Sequence, residues 1–438
     1  MSTTGRAAVS RRGLLRGIGA LGAAGTLAGT GCAAQTSDAV RVVVAGSAAD
    51  KPVWQQLIRT FSRLHPDIKV EPVFLAGPTG SDFWTGFFST VSTRIVGGQR
   101  YDLVYVPTEG QLLFASRNVM EPLDSYIARD RAEIDRFRAD VDPRVLRQFD
   151  RHRPEDGRSY YLPFCDNTIA LLFHKPTFAR ARVALPTEDW TWEDMHRAAH
   201  DIHRRLGVHT MAFLTDMWGF GPWLFTNGAT VLDDAWSKVL VDSPAARESL
   251  RYARSYVSDG LAPAPGGAFD TISQMGAGKL AMMPGTRSTV QGMRQRKLHE
   301  PDFGFVPFPR NTRLGTSVGY GAMGMFKVSD KKDQAWEFLK YTLSLPFQRY
   351  QARTIFAGAA PVRRSAATGH DMHVDAPTGT DYLYEGLSYS TVVPGVANQA
   401  RLADPFSKTV SQILAGTLST ADGLGQLQLQ MAANLHSS

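Results

Sequence analysis

"YYLPFCDNTIALLF", residues 160–173, holds two extended runs separated only by the polar Cys165-Asp166-Asn167. Upstream of it the chain alternates short β-branched runs with helical periodicity. Downstream, a helix beginning near Trp192 opens an α-rich region. The stretch therefore marks the place where one half of the molecule gives way to another, and its polar centre lies at that crossing.

Working back towards the N-terminus, Val40-Arg41-Val42-Val43-Val44 reads as a buried strand. Val53, Trp54, Leu57, Ile58, Phe61 and Leu64 follow at helical spacing until Pro66 stops them. Residues 68–71 and 103–106 supply two more strands, with a helical segment over 87–95 between them. Strands alternating with helices imply crossover connections and a parallel sheet. Ligands sit beyond the carboxyl ends of such strands, which makes Glu109, just past the third, a candidate contact.

Forward from the crossing, residues 303–307 and 323–328 return to strand character, and a helix from Lys332 to Leu343 is ended by Pro346. Late strands in an α-rich region imply lobes woven from discontinuous segments. Gly319-Tyr320-Gly321-Ala322-Met323-Gly324 satisfies the spacing of a dinucleotide loop. A strand should precede such a loop and a helix should open at it. Here a polar loop precedes it and the glycines run into a strand, so no nucleotide site is expected.

The 438 residues are 43% hydrophobic and 20% charged, a globular balance long enough for two or three domains. Formal net charge is +7. Setting aside the four arginines of residues 1–31 leaves 44 basic and 41 acidic residues, or +3. Neither nucleic acid nor a polybasic membrane contact is implied. Ser10-Arg11-Arg12 and the weakly apolar run after them match a twin-arginine export signal, shorter than the ~20 residues of a membrane span. Gly29-Thr30-Gly31-Cys32 then resembles a bacterial lipobox, in which the cysteine becomes the acylated N-terminus. With Cys32 lipidated, Cys165 is left alone and no disulfide can form.

Signatures of catalysis are weak. The GxSxG pattern of serine hydrolases is missing. Asp82, Glu109 and Asp166 could serve glycoside hydrolysis, but nothing pairs two of them. His196, His200 and His203 share a helix face at i, i+4 and i+7. Without a Glu after His196, and with Arg197, Arg204 and Arg205 beside them, a solvated face outweighs a metal site. Neither metal nor cofactor is expected. The aromatic loop Trp218-Gly219-Phe220-Gly221-Pro222-Trp223 is more informative, because sugar C–H faces stack on such rings while hydroxyls need fixed polar groups nearby.

Several phrases, in order, resemble the carbohydrate-type extracellular solute-binding proteins of bacterial ABC importers. They are residues 160–181, "EDWTWEDMHRAAHDI" at 188–202, "FTNGATVLD" at 225–233, residues 241–263, "FDTISQMGAGKLAMMPG" at 269–285, residues 334–366 and the terminal 413–435. The resemblance implies an α/β, two-lobe periplasmic-binding-protein-like fold, each lobe a mostly parallel sheet flanked by helices and joined by hinge strands. It implies a signal peptide over 1–31, a tether over 32–39, one lobe of 40–165 with 307–350 and another of 166–306 with 351–438. The implied protein is a non-enzymatic, extracytoplasmic, lipid-anchored monomer. It binds a sugar, oligosaccharide or polyol and serves membrane permease subunits backed by ATPase subunits. Its expected ligand contacts are Glu109, Asp166, Asn167, Trp218, Phe220, Trp223, Arg287, Ser288, Tyr320 and Arg401. "RLADP", from Arg401, resembles the Arg-Leu-Gly of members that bind glycerol phosphates, so a glycerophosphodiester is the alternative ligand. A secreted glycoside hydrolase is the alternative from another class.

Overall fold

The structure is a computed structural model that describes residues 37–46, 50–75, 83–151, 153–267 and 269–435. Cys32, the export signal and Asp82 lie outside these residues. Ten strands are present among them: β1 (Val40–Ala45), β2 (Val70–Leu75), β3 (Leu103–Pro107), β4 (Tyr161–Thr168), β5 (Ala170–His174), β6 (Met282–Gly285), β7 (Phe303–Val306), β8 (Thr316–Met325), β9 (Ala360–Pro361) and β10 (Ser390–Val392).

The larger sheet runs β2-β1-β3-β8-β4-β9, with β10 also on β8. Its β1, β2 and β3 are parallel, and helices Lys51–Leu64 and Phe83–Val96 make the expected crossovers. Val40, Val42 and Val44 enter one core while Val43 enters the core on the opposite face. A sheet covered on both faces explains why β1 reads as an unbroken apolar run. Each of these buried valines contributes about 1.5–3 kcal/mol.

Beyond β3 the pairing turns antiparallel, through β8 against β3 and β4 and β9 against β4. The second sheet, β6-β5-β7, is antiparallel throughout. Besides the first crossovers, only the β10–β8 pair follows the mostly parallel expectation. Antiparallel strands need no crossover helix between neighbours, and these partners come from segments far apart in sequence.

The crossing lies where residues 160–173 indicated. Cys165, Asp166 and Asn167 belong to β4 in the larger sheet, and after Ile169 the chain enters β5 in the smaller. Residues 316–318, read as loop, are strand, so the glycines of 319–324 lie inside β8. A Cβ on Gly321 would come within 2.3 Å of Cys165 Sγ and 2.5 Å of the Tyr105 ring, so only a bare backbone fits between them. Pro346 ends one helix and seeds the next, Leu345–Thr354, whose Ser344 cap accepts from Phe347 N. The lobe boundary expected at 350 falls inside that helix. Gln348, fully buried, donates to Phe164 O on β4 at 2.8 Å, and β9 pairs with β4, so this region stays with the larger sheet.

Candidate solute cleft

Glu109 enters the fold on the first turn of helix Thr108–Ser116, directly after the carboxyl end of β3. Thr108 ties that turn to β8: its hydroxyl accepts from Tyr320 N at 2.8 Å. Glu109, Asp166 and Tyr320 line one cavity of about 970 Å³ together with Asn167, Trp218, Ser288 and Arg401. That size is at the upper end for small-molecule sites.

Asp216 faces the same cavity from helix Met217–Phe225, where its carboxylate accepts from Trp218 N at 3.0 Å and Gly219 N at 2.9 Å. Burial is the main reason the Glu109 carboxyl rises to about 7, and the Asp216 charge adds to it. Asp216 is itself raised by burial and partly held down by its backbone bonds. Asp166 is raised well above the carboxylate range by burial and then by Asp142. The Tyr320 hydroxyl is raised by burial and next by Asp166, its cross-strand neighbour. Three acids that resist ionisation suit donors and acceptors for uncharged hydroxyls better than sites for an anion.

Three expected contacts lie elsewhere. Trp218-Gly219-Phe220-Gly221-Pro222-Trp223 is part of a helix capped by Asp216, and helical periodicity sends its rings to different sides. Trp218 reaches the cavity. Phe220 and Trp223, three residues apart on the other face, are fully buried, with Trp223 packed on Phe213, Phe308 and Tyr256. Pro222, inside the helix, has no N–H to give, and the Trp218 carbonyl that it cannot reach accepts from Ser317 Oγ of β8 at 2.7 Å. The helix comes so close to β8 that a Cβ on Gly221 would lie 2.0 Å from that oxygen.

Arg287 is the third. It is 1% exposed, and its guanidinium donates to Ala352 O at 2.7 Å and Met372 O at 3.4 Å, which makes it internal scaffolding. Burial lowers its pKa to about 10. Its backbone N donates to Asn167 Oδ1 at 3.3 Å, and Asn167 Nδ2 donates to Gly358 O at 2.9 Å. Asn167 therefore lines the cavity while bracing two segments more than a hundred residues further along the chain. Arg401 is exposed at the cavity edge, near the start of helix Gln399–Leu414.

Sequence reasoning missed Trp84, Tyr105, Asp216 and Gln399, all of which line the cavity. Asp216 carried a usable signal, an aspartate immediately before a run that proves helical. Trp84 and Tyr105 lie with ring centroids 5.9 Å apart, and Gln399 Oε1 is buried without a hydrogen-bond partner among the described residues. Among the described residues Cys165 is buried and forms no disulfide, and its thiol is pushed up by burial.

The sequence model of the bacterial extracellular solute-binding protein family matches residues 44–346. A binding protein of Brucella abortus is 25% identical over 416 residues, covering 90% of this chain and 93% of that protein. Among solved structures, the Listeria monocytogenes ABC substrate-binding protein in complex with cycloalternan superposes with a TM-score of 0.78 at 19% identity, covering 91% of this chain and 99% of that one. Maltose-bound MalE3 of T. maritima superposes with a TM-score of 0.76 at 20% identity, covering 90% and 99%.

Proposed function

The chain belongs to the bacterial extracellular solute-binding protein family, and from that membership we infer that it captures a neutral carbohydrate in its cleft for an ABC importer. The observation that carries the reading is the make-up of the cavity wall. Trp84, Tyr105 and Trp218 offer ring faces beside Glu109, Asp166, Asp216 and Gln399. Rings bury the C–H face of a sugar while the polar groups bond its hydroxyls. The cycloalternan and maltose held by the two solved relatives support a sugar or oligosaccharide. A cleft of about 970 Å³ accommodates more than one ring.

The reading divides the chain into two lobes that close on the solute, hinged at Cys165–Asn167 and β8, and present the loaded form to a permease. The protein acts as a monomer and performs no chemistry. No helix among the described residues is long and apolar enough to cross a membrane. Attachment rests on acylated Cys32, so Cys32→Ala should move the protein from the membrane fraction to the medium.

A glycerophosphodiester fits less well. Arg117 and Arg401 bring positive charge to the wall, but Glu109, Asp166 and Asp216 line it as well. A thermal-shift panel of maltooligosaccharides, monosaccharides, polyols and glycerophosphocholine tests the choice, because a ligand of the native state raises its melting temperature. Stabilisation by a neutral sugar alone is the expected result. Stabilisation by glycerophosphocholine alone would replace the reading, and release of hydrolysis products from a stabilising glycan would make the protein an enzyme.

A further inference from the structure

The histidine-bearing helix Trp192–Leu206 gains a partner that its own sequence does not reveal. Asp259, just past helix Pro244–Ser258, places its Oδ2 3.4 Å from His200 Nε2 and 3.8 Å from His196 Nε2. One ligand atom from each of the three residues lies within 4.8 Å of the others. We propose that His196, His200 and Asp259 form a binding site for a divalent transition-metal ion of the zinc class. Tetrahedral zinc, with bonds of ~2.0–2.1 Å, spaces its ligands by roughly 3.3 Å, so the three groups need only small side-chain adjustments to meet one ion. Two imidazoles and a carboxylate, with a fourth position facing water, are a donor set suited to such ions.

Both supporting elements are firmly seated. Met195, Ala198, Ala199 and Ile202 bury one face of the first helix, and Leu250, Ala253 and Tyr256 bury a face of the second. The other oxygen of Asp259 accepts from Ser258 Oγ at 3.1 Å, an outer contact that helps orient the ligand. The arginines that argued against a cation are engaged elsewhere. Arg197 pairs with Glu193 and Asp194, Arg204 with Asp201, and Arg205 donates to Ala181 O at 2.6 Å. His203 is outside the site, its Nδ1 engaged 2.9 Å from Val208 O. None of the three ligands lines the solute cavity, so the ion would staple two helices and leave solute capture to the cleft.

Calorimetric titration of zinc into the full, untagged chain tests the site. One ion per chain is expected, with affinity reduced roughly tenfold or more by His200→Ala and by Asp259→Asn and unchanged by His203→Ala. Both altered side chains are partly exposed, so their melting in chelator should match wild type. A readout on unaltered protein makes the test independent of variant folding: zinc should protect His196 and His200, but not His299, from diethylpyrocarbonate. No binding, binding that survives both variants, or equal modification of all three histidines with and without zinc would overturn the proposal.

Discussion

The two faces of helix Met217–Phe225 carry tryptophans five residues apart with opposite surroundings. Trp223 is enclosed by Phe213, Phe220, Phe308 and Tyr256 in the largest core, whereas Trp218 lines the cavity. The core face is apolar and closely packed. Around the cavity, acids are held with their carboxyls raised, and Gln399 Oε1 lacks a partner among the described residues. The difference teaches that aromatic clustering alone does not identify a contact with solute. What identifies it is the side of the helix on which a ring falls and the polar groups it meets there.

The comparison breaks most readily at the core. Trp223→Ala should cost about 3–5 kcal/mol of stability by opening a cavity, measured by urea unfolding. A loss below about 1 kcal/mol would mean that the ring is not part of the packing. On the cavity side the expected signature is pH. Because the Glu109 carboxyl is raised from 4.5 to about 7, the native state holds its proton more tightly than the unfolded chain. Its contribution to stability therefore falls as pH rises from 4.5 through 7, by at most about 3 kcal/mol, and less in so far as solvent enters the cleft. Glu109→Gln should flatten that part of the profile and make the variant the more stable form at pH 8. An unchanged slope would show that the carboxyl is not strained. The smallest effect is expected where the faces meet: Ser317→Ala leaves the Trp218 carbonyl without its donor and should cost about 1 kcal/mol.

Much of the fold was legible because it rests on local pattern. The alternation of strand and helix up to β3, the crossing at residues 160–173, and helix Lys332–Leu343 all follow from periodicity and punctuation. The antiparallel second sheet was not, since β5 pairs with segments more than a hundred residues away. Within the site, Glu109 followed from its place after a parallel strand, and Asp166 from the crossing. Phe220 and Trp223 misled because Gly219, Gly221 and Pro222 suggest a loop, while Ser317, from β8, supplies the bond that makes a helix tolerable. Arg287 misled because arginines are seldom fully buried, and only the carbonyls of Ala352 and Met372 explain this one. Asp259 beside the histidines is likewise a product of tertiary packing.

The central claim is that the cavity face of this helix holds a neutral sugar. It is tested most directly by titrating a maltooligosaccharide into wild type and Trp218→Ala calorimetrically, with melting curves run in parallel. The account predicts saturable binding to wild type and roughly thirtyfold weaker binding to the variant, about 2 kcal/mol, at a nearly unchanged melting temperature. Equal affinity in the two proteins, or binding of glycerophosphocholine with no binding of any sugar, would contradict it.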